Sequence, residues 1–319
     1  MATKTKKLLF VQFPHPGSEH TLTPQQLASL RSGHRVVKEW NCGTHKRKFM
    51  KAKGVAVDGE NKEISGVELY FWGEWEPTSY VTGLSHNVGG CKLPKYLHEP
   101  FYDPSYKYSG EGKGTNCNGT NTDPFVFADN FLYSCCHQMI GDTPTQLQEL
   151  EPGSIIVFGS KVDSQFVMDT VFVVGESRKY TARSARKDLA GFVPEDYYGI
   201  MNFSTWGTSS CVTDSTEYTC YKGISHAEKP MGPFSFAPCR GELQEVNGKK
   251  VGLERPVIPL EGLDFKYNGE DLINPQSATN FKMSVLATAS DATRIWNSLK
   301  EIVLSQGFSL GIRLEYERK

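Results

Sequence analysis

Two apolar runs separated by a short polar link constrain this chain more than any other stretch: Ser154-Ile155-Ile156-Val157-Phe158-Gly159-Ser160 and Gln165-Phe166-Val167-Met168-Asp169-Thr170-Val171-Phe172-Val173-Val174. β-Branched and aromatic residues dominate both, and Glu151-Pro152-Gly153 supplies a turn ahead of the first. The pair therefore reads as a buried β-hairpin across Lys161 to Ser164, at the core of the fold. Leu8 to Phe13 reads as another buried strand, ended by the rigid turn Pro14-His15-Pro16-Gly17-Ser18-Glu19-His20. Phe281 to Ala287 and Phe308 to Tyr316 add strands, the second alternating apolar and polar residues as a half-buried strand does.

Helical signals are few. Thr23 caps a short helix, with Pro24 at its first position and Gln26 three residues after the cap. Thr143 to Leu150 reads as a second short helix, Ala182 to Leu189 as a partly helical stretch, and Asp291 as the cap of a helix running to Gln306. In that last helix Ile295, Leu299, Ile302 and Val303 fall on one stripe. The expectation is an α+β, strand-rich protein with a mixed or barrel-like β-sheet and a few flanking helices. Residues 1–175 form the core domain carrying the site, and 176–319 complete or flank the same fold. Thr82 to Pro124, rich in Gly, Pro, Asn and Tyr, is expected to be an ordered excursion over the sheet, because a loop of that length in a compact domain is functional or disordered and its many aromatics argue for order.

With 319 residues the chain has ample material for a core. A net charge of -1 excludes a global basic field for nucleic acid, so contact with DNA or RNA would rest on local basic segments such as His45 to Lys53 and Arg178 to Lys187. The eight cysteines contain no CxxC pair, and Cys135-Cys136 reads as two buried small residues rather than a nucleophile. No apolar run approaches the ~20 residues of a membrane helix, and the run after the basic N-terminus is cut short by Pro14. A cytoplasmic protein with reduced thiols is expected. There is no P-loop, dinucleotide fingerprint, GxSxG or zinc-deaminase pattern.

Chemistry is concentrated in polar residues set among apolar ones. In Val67-Glu68-Leu69-Tyr70-Phe71-Trp72-Gly73-Glu74-Trp75-Glu76-Pro77, strand alternation puts Trp72, Glu74 and Glu76 on one face with Tyr70, and Trp75 on the other. Aromatic surface beside carboxylates suits a flat, polar-edged ligand, so Trp72 or Trp75 would stack a ring while Glu74 and Glu76 contact its edges. Asn41, His45, Arg47 and Lys48 cluster as an anion-binding set, since arginine offers a planar fork to phosphate and lysine a point charge. Asn121 and Asp123 precede Pro124, where they either contact a ligand or form an Asx-turn. His15 and His20 flank a Pro-Gly turn able to aim N–H groups at an anion, and imidazole titrates near neutrality. Their spacing is not that of a helical metal pair, so no metal ligand is assigned. Asp169 lies in an apolar strand, where a carboxylate must be paired or hydrogen-bonded. His15, His20, Glu74, Glu76 and Asp169 are the candidates for proton transfer.

The ordered set His15-Pro16-Gly17-x-Glu19-His20, Trp40-Asn41-x-Gly43-x-His45-Lys46-Arg47-Lys48-Phe49, Phe71 to Pro77, Asn121 to Pro124 and Gly153 to Ser160 resembles the nucleotide-modification-associated domains. These are bacterial and phage families linked to DNA base modification, and the likeness spans roughly the first two thirds of the chain. It implies a nucleotide or modified nucleobase as ligand, without an established reaction. The Pro-Gly turn entering an apolar strand that ends Phe-Gly-Ser is similar to PUA-like small barrels, which read RNA or modified bases. That likeness implies a mostly β architecture with an aromatic pocket. Three functions stay open: a nucleotide- or base-binding protein that modifies its ligand as a transferase or hydrolase, a non-catalytic sensor of modified DNA or of a nucleotide signal in phage defence, and a metal-dependent hydrolase. No cofactor is identified.

Overall fold

The computed structural model describes residues 6–19, 22–38, 46–84, 94–105, 122–201, 215–246, 249–251, 254–258 and 265–319. Its first half runs β1 (Leu9–His15), α1 (Pro24–Arg31), β2 (Val36–Lys38), β3 (Lys48–Val57), β4 (Glu63–Gly73), β5 (Ser79–Gly83), β6 (Tyr96–Tyr102), β7 (Leu132–Tyr133), β8 (Met139–Ile140) and β9 (Thr143–Pro144). The middle of the chain forms β10 (Ile155–Val162), β11 (Gln165–Thr181), α2 (Ala185–Asp188), α3 (Glu195–Ile200), β12 (Glu217–Gly223), β13 (Ala237–Arg240), β14 (Gln244–Val246) and β15 (Lys249–Val251). The chain ends with β16 (Lys266–Tyr267), β17 (Glu270–Asp271), β18 (Lys282–Val285), α4 (Ala289–Ser305), β19 (Ser309–Glu315) and β20 (Glu317–Arg318). The protein is α+β and strand-rich, with mixed sheets and flanking helices.

One sheet has six strands in the order β18-β1-β10-β11-β12-β7. Within it β1 and β10 run parallel and the other neighbours antiparallel. Both faces of this sheet are covered, which is why its strands read as unbroken apolar runs rather than alternating ones. Phe10, Ile155, Val157 and Val173 face a cluster that takes in Ile295, Trp296, Leu299 and Val303 of α4. Leu9, Val11, Phe13, Ile156 and Phe158 face a second cluster with Met50, Leu69, Phe71, Trp75 and Phe127. The larger sheet has the order β19-β13-β4-β3-β6-β5-β2, and β20 joins it on β6. Because β19 pairs with β3 as well as with β13, the four strands β3, β4, β13 and β19 close into a ring. The C-terminal part thus supplies strands to both sheets.

Several elements differ from expectation. β4 stops at Gly73 rather than running to Pro77, because its partner β3 begins at Lys48, which is opposite Gly73. The hairpin strands are longer than their apolar cores: β10 reaches Val162, β11 runs to Thr181, and the turn shrinks to Asp163-Ser164. In the expected excursion, Tyr96–Tyr102 forms β6, paired with β5, β3 and β20, while 85–93 and 106–121 lie outside the described residues. Thr143-Pro144 is extended against Met139-Ile140, so the helical turn is a 3-10 piece, Gln146–Gln148, capped by Thr145. The last helix is capped by Thr288, and Asp291 is the reciprocal member of the capping box rather than the cap. Among the described residues no helix is long and apolar enough to cross a membrane.

Candidate functional site

Five segments of the chain converge at the C-terminal end of the parallel pair β1 and β10. His15, last residue of β1, is opposite Ser160. The chain then turns through Pro16-Gly17 directly over β10. A Cβ on Gly17 would approach Lys161 O to 2.8 Å and Ser160 Cβ to 3.3 Å, so only glycine lets this turn lie so close. Glu74 is the first residue past β4. Arg47 is held just before β3 by its N–H, which donates to Ser18 O at 3.2 Å.

Asp169 arrives by a different device. Pairing between β10 and β11 jumps from Phe158 opposite Thr170 to Gly159 opposite Met168, leaving Asp169 as the extra residue of a β-bulge. Bulges re-aim side chains, and this one turns a carboxylate out of an apolar strand into the charged cluster. Gly159 permits the bulge, since a Cβ there would lie 2.1 Å from Val167 O.

The charges alternate in sign along a buried line. His15 Nδ1 lies 3.7 Å from Glu74 Oε2. Arg47 Nη2 lies 3.1 Å from the same oxygen, and Arg47 Nε 3.5 Å from Asp169 Oδ2. Arg255 Nη1 donates to Asp169 Oδ1 at 3.3 Å and to Ser160 Oγ at 3.1 Å, while Nη2 donates to Gly17 O at 3.1 Å. The Arg255 guanidinium also lies over the Trp72 ring, 4.3 Å from its centroid. Burial pulls the Arg255 pKa below its usual value against the opposing pull of Asp169. His15, Arg47, Glu74 and Asp169 are 6 %, 1 %, 2 % and 2 % exposed, so these groups interact with one another and not with bulk water.

A cleft of about 410 Å³ opens onto one end of this line, with His15, Gly17, Glu74, His137, Lys161 and Thr279 in its wall. The Nδ1 edge of His15 is turned to Glu74 and buried, and the residue forms part of the cleft wall. His137 has φ 57°, in the left-handed region that a side chain rarely adopts, and its ring packs edge-on against Phe281 at 4.7 Å. Lys161 has no carboxylate partner among the described residues, and the one acid in the wall, Glu74, is already bound to Arg47. Lys161 therefore gives a largely apolar cleft one uncompensated positive charge, beside an imidazole of the kind that gives or takes a proton near neutrality. A second cleft, about 390 Å³ between Lys51, Glu68, Glu99 and Glu317, differs in that Lys51 lies 3.1 Å from Glu68 and 3.5 Å from Glu99, neutralising its own wall.

Not every expected residue reaches the cleft in its expected role. His15 and Glu74 line it, and Arg47 and Asp169 stand directly behind. Arg47 and Lys48 are buried rather than presented at a mouth: Arg47 bridges two carboxylates, and Lys48 Nζ donates to Trp75 O. Burial lowers the Lys48 pKa, with Glu76 and Glu74 opposing the shift. Trp75 is a core residue, its Nε1 donating to Thr78 O at 2.7 Å and its ring 4.8 Å from Phe127. Trp72 is 4 % exposed and gives its face to Arg255, so neither indole offers a ligand a stacking surface. Glu76 is fully buried, its N–H donating to Thr122 Oγ1 at 3.0 Å. Asp123 does not make a local Asx-turn. Its carboxylate accepts the N–H groups of Ser134, Cys135 and Cys136 at 2.9, 2.8 and 2.8 Å. His20, Asn41, His45 and Asn121 lie outside the described residues.

Arg255, Lys161, His137 and Thr279 escape sequence reasoning as cleft residues, because only the β1–β10 pairing, the anchored segment after β7 and the returning C-terminal part bring them here. For Lys161 a signal exists in its place two residues past the Phe-Gly of an apolar strand. One group among the described residues has three metal-capable atoms within 4.8 Å of one another, Asp123, Cys135 and Cys136. Both Asp123 oxygens already accept backbone N–H groups, and burial holds the Cys135 thiol well above its ordinary pKa, so the donor set is that of a buried loop anchor rather than an ion site. No protein-family model matches the chain, and neither the curated proteins nor the solved structures give a significant match.

Proposed function

We propose that this protein binds a small anionic molecule of the nucleotide class in the His15 cleft, and that His15 backed by Glu74 exchanges a proton with it. The observation that carries the reading is the imidazole of His15, set between a buried carboxylate 3.7 Å from its Nδ1, an ion-pair distance rather than a hydrogen bond, and a cleft whose lysine has no carboxylate partner among the described residues. A base positioned by an acid is the general arrangement for proton transfer near neutral pH. The cleft volume, about 410 Å³, lies in the range of small-ligand sites. Lys161 and His137 take over the anion-holding role expected of Arg47 and Lys48, and the sequence likeness to base-modification families supports a nucleotide or modified base. Buried, unbridged Cys135, Cys220 and Cys239 fit a reducing, cytoplasmic setting.

The test is a calorimetric titration with nucleobases, nucleosides, nucleoside phosphates and modified and unmodified oligonucleotides, combined with product analysis. Saturable binding of a phosphorylated ligand is expected, weakened on the order of tenfold by Lys161→Ala, as loss of one charge-assisted contact predicts. His15→Asn should retain binding and abolish any turnover. Binding without product in the unaltered protein would instead support a sensor. Equal affinity of Lys161→Ala and the parent, or no saturation by any member of the set, would remove the proposal.

A further inference from the structure

Proton exchange at His15 uses one end of the buried line of charges and leaves the other end, Asp169 and Arg255, without a role. We infer that Asp169 and Arg255 are positioning residues for His15, acting through Arg47 on Glu74, and this rests on the reading of His15 as the proton-carrying group. Arg255 ties three parts of the site together: the Asp169 carboxylate at 3.3 Å, Ser160 Oγ at 3.1 Å on β10, and Gly17 O at 3.1 Å on the turn after His15. Asp169, projected by its bulge, draws Arg47 from one side while Glu74 draws it from the other, at 3.5 and 3.1 Å. Glu74 is thereby fixed along the Nδ1 edge of His15. A buried ion chain is a weak source of stability beside apolar packing, and its clearest product is fixed geometry.

Among the described residues, the other groups facing His15 are few. Lys161 comes from β10, Cys136 and His137 from the segment after β7, and Thr279 from the segment before β18. Glu19, on the same turn, accepts from the Lys95 and Tyr96 N–H groups at 2.9 Å. The charge that the line places behind Glu74 therefore bears directly on how readily His15 takes a proton. Removing the Asp169 charge leaves Arg47 and Arg255 in excess, which disfavours the imidazolium. Removing Arg255 leaves Asp169 in excess and favours it. The two changes pull in opposite directions.

The experiment tracks the His15 Cε1–H resonance by NMR against pH in the full chain, assigned by its absence in His15→Asn. Asp169→Asn should lower the His15 midpoint by on the order of half a pH unit, Arg255→Met should raise it by a similar amount, and the double variant should return it close to the parent value. A purely structural role would lower the melting temperature of either variant and leave the midpoint in place, which overturns the inference. Should Arg255→Met not fold, Asp169→Asn decides alone, and an unchanged or raised midpoint overturns it. A parallel titration of the parent with adenosine monophosphate separates this inference from the function. Opposite midpoint shifts with no binding of adenosine monophosphate, or of any other member of the ligand panel above, would retain the positioning role and discard the nucleotide ligand.

Discussion

Asp123 shows how much one carboxylate can decide when it is sealed inside. Its two oxygens collect three backbone N–H groups from Ser134, Cys135 and Cys136, fixing the segment that carries Cys136 and His137 into the cleft wall. Burial raises its pKa from 3.8 to about 6, against those donors, which pull it down. A carboxyl whose folded pKa lies above its unfolded one contributes stability that is complete below the unfolded value and lost as pH rises through the folded one. Here the window is pH 3.8 to about 6, and the amount at stake is on the order of 3 kcal/mol. Asp123→Asn abolishes this titration and leaves one N–H poorly served, a loss of about 1–3 kcal/mol. Denaturant unfolding across this pH window and up to neutrality should show the parent's advantage over the variant shrinking as pH rises. A constant difference would mean that burial does not govern this group. The sequence singles out Asp169 by the rule that a carboxylate in an apolar strand needs a partner, Glu74 by its place among aromatic residues and Asp123 by its place before Pro124, and none of these signals names the partner. Arg255 lies 86 positions from Asp169, and no local pattern announces such a pairing.

At the scale of elements, local chemistry written in consecutive residues is readable and non-local pairing is not. The Thr23 cap with Pro24 and Gln26, the α4 stripe and the apolar hairpin all depend on neighbours in the chain, and all appear where the residues indicate. The alternation argument for Trp72, Glu74, Trp75 and Glu76 fails because it extends a strand past Gly73, where β3 no longer offers a partner. β6 is overlooked because its ladder is made with β5 and β20, the second of them far away in sequence. Ring closure is of the same kind. β19 crosses β3 so closely at Gly54 that a Cβ there would lie 2.2 Å from Arg313 O and 2.9 Å from Leu69 Cδ1. Backbone cannot yield as a side-chain tip can, so Gly54→Ala should force β19 away and cost on the order of 1–3 kcal/mol. Urea unfolding of this variant is the check, and an unchanged midpoint would mean that the ring can open without cost.

For the molecule as a whole, the question is whether a core of residues 1–175 can fold without residues 176–319. Three observations say that its sheets would be left incomplete. β18 covers one edge of β1, pairing Leu9 with Val285 and Val11 with Met283. β13 and β19 complete the ring with β3 and β4, pairing Cys239 with Phe71 and Leu310 with Val57. α4 then buries Ile295, Trp296, Leu299 and Val303 in the cluster that includes Phe10, Val157 and Val173. A fragment of residues 1–175 would expose that apolar face and leave the edges of β1, β3 and β4 unpaired, a combination that favours association over folding. It would also lack Arg255 and Thr279, so its cleft would lose the clamp on Asp169 and part of its wall. The fragment should therefore show the broad, poorly dispersed NMR spectrum of an unfolded or aggregated chain. Adding residues 176–319 in trans should recover dispersion if that piece supplies β13, β18, β19 and α4 to the fragment's open edges and apolar face. A fragment that folds alone, with a cooperative melt and a dispersed spectrum, would show instead that the later strands only decorate a finished domain, and the site would then have to work without the Arg255 clamp.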